Sequence, residues 1–466
     1  MGINQQWFQF PASYRETEVR TVAHWIGDGE SGSVIGITGV GRTTFLEFLS
    51  YRLDALQPYL PPRLQQVILI PVDLNNLPDD QLSTFYRILL RSFYEQQERF
   101  KPSLQQTIYE LYRKVEATQD PFLSQSALRE LLTLFREQEM RIVLVMNRFD
   151  SFCETATPQM TATLRGLRDS FKGTLSYIMG MEREIVYLSE VESIKPLQGI
   201  LDTHVCWVGP LTEADARHMI QRQTQYLNEP IPETAMSQLW QLSGGYPSLL
   251  RVLCDWWMNE SQNVPVSLWG KTVLAKRNCQ HRLRDIWQRL TDEEQFVLAE
   301  LLIGLGKQGG KRGKQRMELA QLAVLAGLTR KGVCQEEEGE WQVGGELVCL
   351  YVEQVAGESR GRVHLEAQTG EIYQGRTRLD GLQPLHHALL KFFVTRPHER
   401  HTHDDLIEAI WPEEVHKEGV STEALYQVIR GIRKAIEADT SKPRYLINWR
   451  GAFEGGYQFY PEGRPR

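Results

Sequence analysis

Residues Gly36 to Thr44 read GITGVGRTT, and this stretch decides the reading of the first half of the chain. Its glycines follow the spacing G-x-x-x-x-G-K-[ST] of a phosphate-binding loop, with Arg42 where the lysine would stand. Gly36, Gly39 and Gly41 let the backbone turn tightly with its N–H groups inward, where they and the next helix N-terminus cradle phosphate. Ser33-Val34-Ile35 reads as a short strand and FLEFLSYRL as a helix, so the loop has the strand-to-helix setting the motif requires. Arginine keeps the positive charge and grips phosphate bidentately, but it is longer and planar. Thr43 keeps the hydroxyl that touches magnesium in such loops, followed by Thr44. The plain alternative is a glycine-rich turn with no ligand.

About a hundred residues on, IVLVMNRFD (Ile142 to Asp150) reads as a buried strand. Phosphoryl transfer to water needs a carboxylate near the metal and a group that orients the water. Here the strand end offers Asn147 and Arg148, and an arginine cannot serve as a base. Asp150 lies past the strand and is expected to cap the next turn. The scaffold of a nucleotide hydrolase is present while its acidic chemistry is not, so efficient turnover is not expected.

A chain of 466 residues holds several domains. Its 41% hydrophobic and 24% charged residues are ordinary for a globular protein, and its net charge of −7 confines any nucleic-acid contact to a local patch. Six scattered cysteines without a C-x-x-C pair point to reduced thiols. Without a secretory segment or a long apolar run, the expectation is a cytoplasmic protein with no membrane partner. His386, His387, His401 and His403 read as solvated or capping positions, with no metal site.

Strand and helix alternate from residue 13 to about 210. VILIPVDL is a near-continuous apolar strand, as a parallel sheet covered on both faces requires. Three helical stretches separate it from IVLVM, and TLSYIMGM follows. Residues 211–290 turn helical, with Thr212 as an N-cap and Pro247 in the first turn after Gly244-Gly245-Tyr246. In residues 291–355, Thr291 and Glu294 form a capping box, MELAQLAVLAGL is a second helix, and WQVGGELVCLYVEQV reads as a hairpin around Gly344-Gly345. The loop between the two helices carries Lys307, Lys311, Arg312, Lys314 and Arg316; it is either a mobile solvated loop or a phosphate-backbone contact. AGESRG (356–361) reads as a linker.

From residue 362, short strands precede three helices, the third N-capped by Ser421, and then a hairpin: a winged helix. Residues 430–450 gather Arg430, Arg433, Lys434, Lys442, Arg444 and Arg450 against Glu437 and Asp439 alone. That basic cluster, on the third helix and the hairpin, is the footprint of a module that binds double-stranded DNA.

ALYQVIRGIRKAIEADTSKPRYLINWRGAFEGGYQF resembles the carboxyl-terminal effector domain of the OmpR/PhoB response-regulator family. The matching positions are Gln427, Ile429, Arg430, Arg433, Lys434, Pro443, Arg444, Tyr445, Arg450, Gly451, Gly456 and Tyr457. The resemblance implies that the third helix enters the major groove and that the wing touches the adjacent backbone, with Gln427, Arg430, Arg433, Lys434, Lys442, Arg444 and Arg450 as DNA contacts. Gly431 replaces an often basic position, and residues 452–455 lengthen the wing tip. The first 290 residues resemble the STAND branch of AAA+-like P-loop NTPases, through GITGVGRTT, IVLVMNRFD, VGPLTEADARHMI and GGYPSLLRVL. That resemblance implies an ATP- or ADP-gated switch that often oligomerises. Gly36, Gly39, Gly41, Arg42, Thr43 and Thr44 would lie around the phosphates, Thr43 on magnesium, and Pro247 near the adenine.

The chain is thus read as a multidomain α/β and α protein. A P-loop NTPase parallel-sheet core spans 1–210, a helical lid 211–290, a winged-helix-like module 291–355 and an OmpR/PhoB-type winged helix 362–466. The leading function is DNA-binding transcription regulation with a degenerate nucleotide-sensing or scaffold unit. The alternatives are an active STAND ATPase of defence or mobile-element biology that docks a protein partner through the winged helix, and an adaptor that binds neither ligand.

Overall fold

The computed structural model describes residues 5–62, 64, 66–185, 188, 192–227, 229–261, 264–307, 319–337, 340–358, 361–366, 369–375, 377–411, 422–450, 455–461 and 463. They form two compact units, Met1–Arg289 with Ala326–Leu347, and Leu290–Leu325 with Val348–Arg466.

In the first unit, α1 (Glu16–Asp28) leads into strand β1 (Gly32–Ile35), then the glycine loop and α2 (Arg42–Tyr51). The apolar runs form β2 (Val67–Val72), β3 (Arg141–Met146) and β4 (Leu175–Met181) where the sequence places them. A further strand, β5 (Val205–Trp207), is too short to show a period in the sequence. All five pair in parallel in the order β2-β3-β4-β1-β5. Every residue of β4, and all but the first of β3, is buried, as two-sided coverage demands. Between β2 and β3 lie α3 (Leu82–Glu95), α4 (Pro102–Val115) and α5 (Pro121–Glu137). Pro102 and Pro121 open the latter two, and Asp120 accepts hydrogen bonds from Phe122 N and Leu123 N. Phe93, Phe100 and Phe135 knit the three helices into the sheet core.

The register sets the functional edge. Ile35 pairs with Met181, so β1 and β4 end level, while β3 ends at Met146 opposite Met179, slightly short of them. Gly36, Asn147 and Glu182 are the first residues beyond those ends. In open parallel sheets this carboxyl edge is where ligands sit. On it lies α6 (Phe149–Thr155), and α7 (Pro158–Ser170) then leads to the start of β4.

Helices α8 (Glu213–Thr224), α9 (Glu233–Ser243), α10 (Pro247–Glu260) and α11 (Arg277–Gln288) complete the helical stretch. Thr212 Oγ1 caps α8 by accepting from Asp215 N, and Pro247 occupies the first turn of α10. The hairpin expected at Gly344-Gly345 is displaced. It runs from β6 (Cys334–Glu337) to β7 (Glu340–Val343), and Gly345, at φ 87°, turns the chain into a helix at Glu346–Glu358. Leu347, Val348, Tyr351 and Val352 are buried at helical spacing, a stripe that β-branched residues disguised in the sequence. The same helix takes in the start of the expected AGESRG linker.

Working onward in chain order, the second unit contains α12 (Asp292–Lys307), whose Thr291–Glu294 capping box forms in both directions. The others are α13 (Leu319–Arg330, which straddles the unit boundary), α14 (the Glu346–Glu358 helix), α15 (Pro384–Thr395), α16 (His403–Ile410) and α17 (Thr422–Ile436). The basic loop from Lys311 to Arg316, the Ser421 cap and the wing tip 451–454 lie outside the described residues, as do the side chains of Lys307 and Arg450.

Strands β8 (Val363–Leu365), β9 (Ile372–Gln374) and β10 (Thr377–Arg378) form one antiparallel sheet. Strands β11 (Arg400–Thr402), β12 (Leu446–Arg450) and β13 (Gly455–Phe459) form another, in the order β11-β13-β12. The core joins Leu389 and Phe393 of α15, Leu406 of α16, Ile429 and Ile432 of α17, and Phe459. All six cysteines are unpaired and five are buried. Among the described residues no helix is long and apolar enough to cross a membrane.

Candidate functional site

The glycine loop has the backbone its spacing demands. Gly39 (φ 95°) and Gly41 (φ 88°) lie in the left-handed region. A Cβ on Gly39 would come within 2.5 Å of Ser248 Oγ, and one on Gly41 within 3.2 Å of Pro247. Pro247 and the loop are therefore neighbours, and Ser248 N donates to Gly39 O at 3.2 Å. Arg42 is turned inward rather than out of the loop. It is 6% exposed, its Nη1 donates to Gly36 O at 3.2 Å, and its Nε has no partner among the described residues. Burial pulls its pKa down, an effect opposed by the charges of Asp150 and Glu182. Thr43 is exposed and Thr44 half-buried.

The ends of β3 and β4 flank the loop. Asn147 Nδ2 donates to Thr43 Oγ1 at 3.0 Å, so a neutral amide faces the hydroxyl that would hold magnesium. Magnesium binds through carboxylates and phosphate oxygens, and Asn147 supplies no anionic oxygen. Arg148 is exposed, at φ 52°. Asp150 is not a turn cap. Its Oδ2 accepts from Glu182 N at 2.9 Å, linking α6 to the end of β4, while its Oδ1 is buried without a partner among the described residues. Acidic groups have thus not vanished from this edge, as the sequence suggested; one is displaced by a turn.

Three further residues at this edge escaped the sequence reading. Glu182 accepts from Thr38 Oγ1 at 3.3 Å and from Arg289 Nη2 at 2.7 Å. It could have been found by the rule that picked out Asn147, since it too is the first residue after a buried strand. Arg289, just past α11, gives no such signal. Arg15 is 2% exposed and left-handed, at φ 51°. Its guanidinium donates to Val40 O in the loop, to Gly209 O at 2.9 Å and to Glu18 Oε1 at 2.8 Å, and its N–H donates to Asp215 of α8 at 3.3 Å. A left-handed arginine costs free energy that these surroundings sustain.

In the second unit, Gln427, Arg430 and Lys434 are exposed on one face of α17, and Lys442 is exposed in the turn before β12. None of these four side chains has a hydrogen bond or ion pair among the described residues. Arg433 and Arg444 behave differently. Arg433 donates to Leu446 O through Nε (3.1 Å) and Nη2 (2.6 Å), and to Asn448 Oδ1. Arg444 is 6% exposed. Beside them Glu437, 3% exposed, accepts from the backbone N–H groups of Arg444, Tyr445 and Leu446 at 2.7–2.9 Å. This buried carboxylate fixes the turn from α17 to the wing. Gly431 has a packing role: a Cβ there would stand 2.3 Å from the His386 ring of α15.

A five-stranded parallel sheet with this loop and strand order defines a P-loop NTPase-type core, joined in one chain to a winged helix. Residues 381–459 match the family described as "Transcriptional regulatory protein, C terminal". No curated protein matches the sequence. Among solved structures, a Walker-type ATPase of Pyrococcus abyssi is similar at 17% identity, over 72% of this chain and 95% of its own, with a TM-score of 0.41. The Orc1 protein of Aeropyrum pernix, solved in complex with DNA, is 13% identical over 74% and 92%, with a TM-score of 0.36. A RuvB mutant of Thermotoga maritima is 13% identical over 72% and 95%, with a TM-score of 0.34.

Proposed function

We propose that this chain is a DNA-binding transcription regulator whose P-loop unit, a degenerate STAND-type module, senses ATP or ADP without turning it over efficiently. The observation that carries the reading is the row of Gln427, Arg430 and Lys434 on α17, unpartnered among the described residues, with Lys442 beside the wing, in a segment that matches a transcription-regulator family. Free cations on one face suit phosphates and base edges. Residues 1–210 would be the nucleotide core, 211–290 its lid, 291–355 a winged-helix-like module and 362–466 the DNA-binding domain, acting in the cytoplasm.

The loop fits a nucleotide. Gly39 and Gly41 give the loop its left-handed turns, Arg42 carries the charge, and Pro247 packs beside Gly41. Magnesium, when bound, would neutralise the outer phosphates from Thr43. The amide of Asn147 withholds the carboxylate that hydrolysis needs.

The test uses the full chain. Duplex DNA binding is measured against salt, and ATP turnover against magnesium. Binding should weaken about forty-fold between 50 and 200 mM salt if three phosphates are neutralised, from a slope near −0.9 per phosphate. ATP and ADP should raise the melting temperature by mass action, and Gly41→Val should abolish that rise. Magnesium-dependent turnover near 1 per second, lost in Arg42→Ala, without duplex binding, would refute the proposal in favour of an active ATPase that docks protein.

A further inference from the structure

The exposed face of α17 holds an aromatic side chain that the charge pattern does not reveal. Tyr426 is 41% exposed and precedes Gln427, Arg430 and Lys434 on that face. Its hydroxyl has no hydrogen-bond partner among the described residues. Single exposed hydrophobic residues are common and need no explanation. Tyr426 differs in that its ring is held. The His403 ring, at the start of α16, meets it edge-on at 5.5 Å and 82°. His403 is 5.7 Å from the ring of Tyr457 in β13, and the Arg433 guanidinium lies 5.6 Å from that same ring. His403 of α16, itself backed by Tyr457 of β13, thus braces an apolar ring at the start of a polar, cationic row.

The major groove offers one apolar group, the C5-methyl of thymine, and side chains such as Phe pack on it; Gln pairs with adenine and Arg with guanine there. We infer that Tyr426 is a specificity-determining residue that reads a thymine through its ring, beside Gln427 and Arg430. This rests on the reading that α17 enters the major groove. A phosphate contact through the Tyr426 hydroxyl is the competing role.

The experiment selects duplexes from a random pool with the full-length parent, Tyr426→Phe and Tyr426→Ala, then replaces each preferred thymine by uracil, which lacks only the methyl. The parent should select a site containing thymine, and uracil at one position should weaken it about fourfold, the effect of burying one methyl. Tyr426→Phe should keep both the site and the sensitivity. Tyr426→Ala should lose the preference at that position and its response to uracil, with the salt slope unchanged because no charge is removed. If Tyr426→Ala selects the same sequence with the same sensitivity, Tyr426 does not read thymine. Equal, sequence-independent losses in Tyr426→Phe and Tyr426→Ala would show a phosphate contact and overturn the inference. A parent insensitive to uracil at every thymine overturns it even if Tyr426→Ala does not fold. A parent that binds no duplex refutes the DNA-binding reading itself.

Discussion

Arg433 separates the two jobs that basic residues do in a winged helix. Its charge and position suggest a DNA contact, yet its guanidinium spans from α17 to Leu446 O and Asn448 Oδ1 of β12. Burial lowers its pKa, as expected for a cation drawn into the fold. Arg433→Ala removes this fork. A hydrogen bond to a charged group contributes about 1.5–3 kcal/mol, but exposed charges contribute far less, and this side chain is half-buried. About 2 kcal/mol for the whole fork is therefore reasonable, which raises the local opening equilibrium roughly 30-fold. Hydrogen exchange in the full-length chain reads this directly: amides of β12 and β13 should exchange faster in Arg433→Ala and unchanged in Arg430→Ala. Salt dependence of duplex binding should show the reverse, the slope falling by about 0.9 in Arg430→Ala and staying level in Arg433→Ala. An Arg433→Ala protein with parental wing protection and a slope reduced by about 0.9 would refute the division of labour.

The turn below the wing should be as sensitive. Glu437→Gln sets an amide N–H₂ against at least one of three backbone donors, at a cost of roughly 1–3 kcal/mol for each donor left unsatisfied, so exchange at residues 444–446 should accelerate more than in Arg433→Ala. His401 is buried and its pKa lies below the ordinary 6.5 because burial disfavours the cation. The unfolded chain therefore takes up its proton first as pH falls, and the stability present above pH 6.5 should diminish on acidification through the lowered folded value. Urea midpoints at pH 7.5 and 5.0 should differ by less in His401→Gln than in the parent. At the phosphate loop, Arg42→Lys combined with Asn147→Asp restores the expected lysine and a carboxylate at the Thr43 hydroxyl. Magnesium-dependent ATP turnover should rise above that of the parent; equal background rates in both would show that more than these two residues blocks the reaction.

Legibility followed physical range. The β2, β3 and β4 strands are strongly apolar and end where the sequence suggests, because a strand buried on both faces has no alternative pattern. The glycine loop was readable because positive φ at two positions needs glycine. Strand β5 was not, since three residues carry no period. The false hairpin at Gly344 arose because Val and Tyr suit strands in isolation, while tertiary burial at i and i+4 favoured a helix. At the sites, residue type was visible but partnership was not. Arg433 and Arg430 are the same amino acid three residues apart. Only folding shows that Arg433 is tied to Leu446 while Arg430 stays exposed on the helix. Glu182 and Arg289 pair at the carboxyl edge, and Arg15 reaches the Val40 carbonyl of the loop, from positions far apart in the chain, which no local pattern encodes.

A phosphate loop that holds nucleotide without hydrolysing it would be a different kind of switch from a hydrolysing one. A hydrolysing switch resets itself by chemistry; this one would follow the nucleotide that happens to be bound, and would reset by exchange. Moving a two-state unit from 1:99 to 99:1 needs about 5.5 kcal/mol of differential binding. Two or three charge-assisted hydrogen bonds to phosphate, at about 1.5–3 kcal/mol each, reach that figure. The carboxyl edge holds cations suited to such bonds. Arg42 donates only to the Gly36 carbonyl, with its Nε unpartnered among the described residues, and Arg289 is paired with Glu182. A terminal phosphate would compete with Glu182 for Arg289, whereas a diphosphate lacks that group. Glu182→Gln should therefore widen the difference between the melting-temperature shifts given by ATP and ADP, because Arg289 would be released before either nucleotide arrives and only ATP carries the phosphate that engages it. If the difference is unchanged while both shifts persist, Arg289 takes no part in telling the two nucleotides apart, and Arg42 alone carries the discrimination.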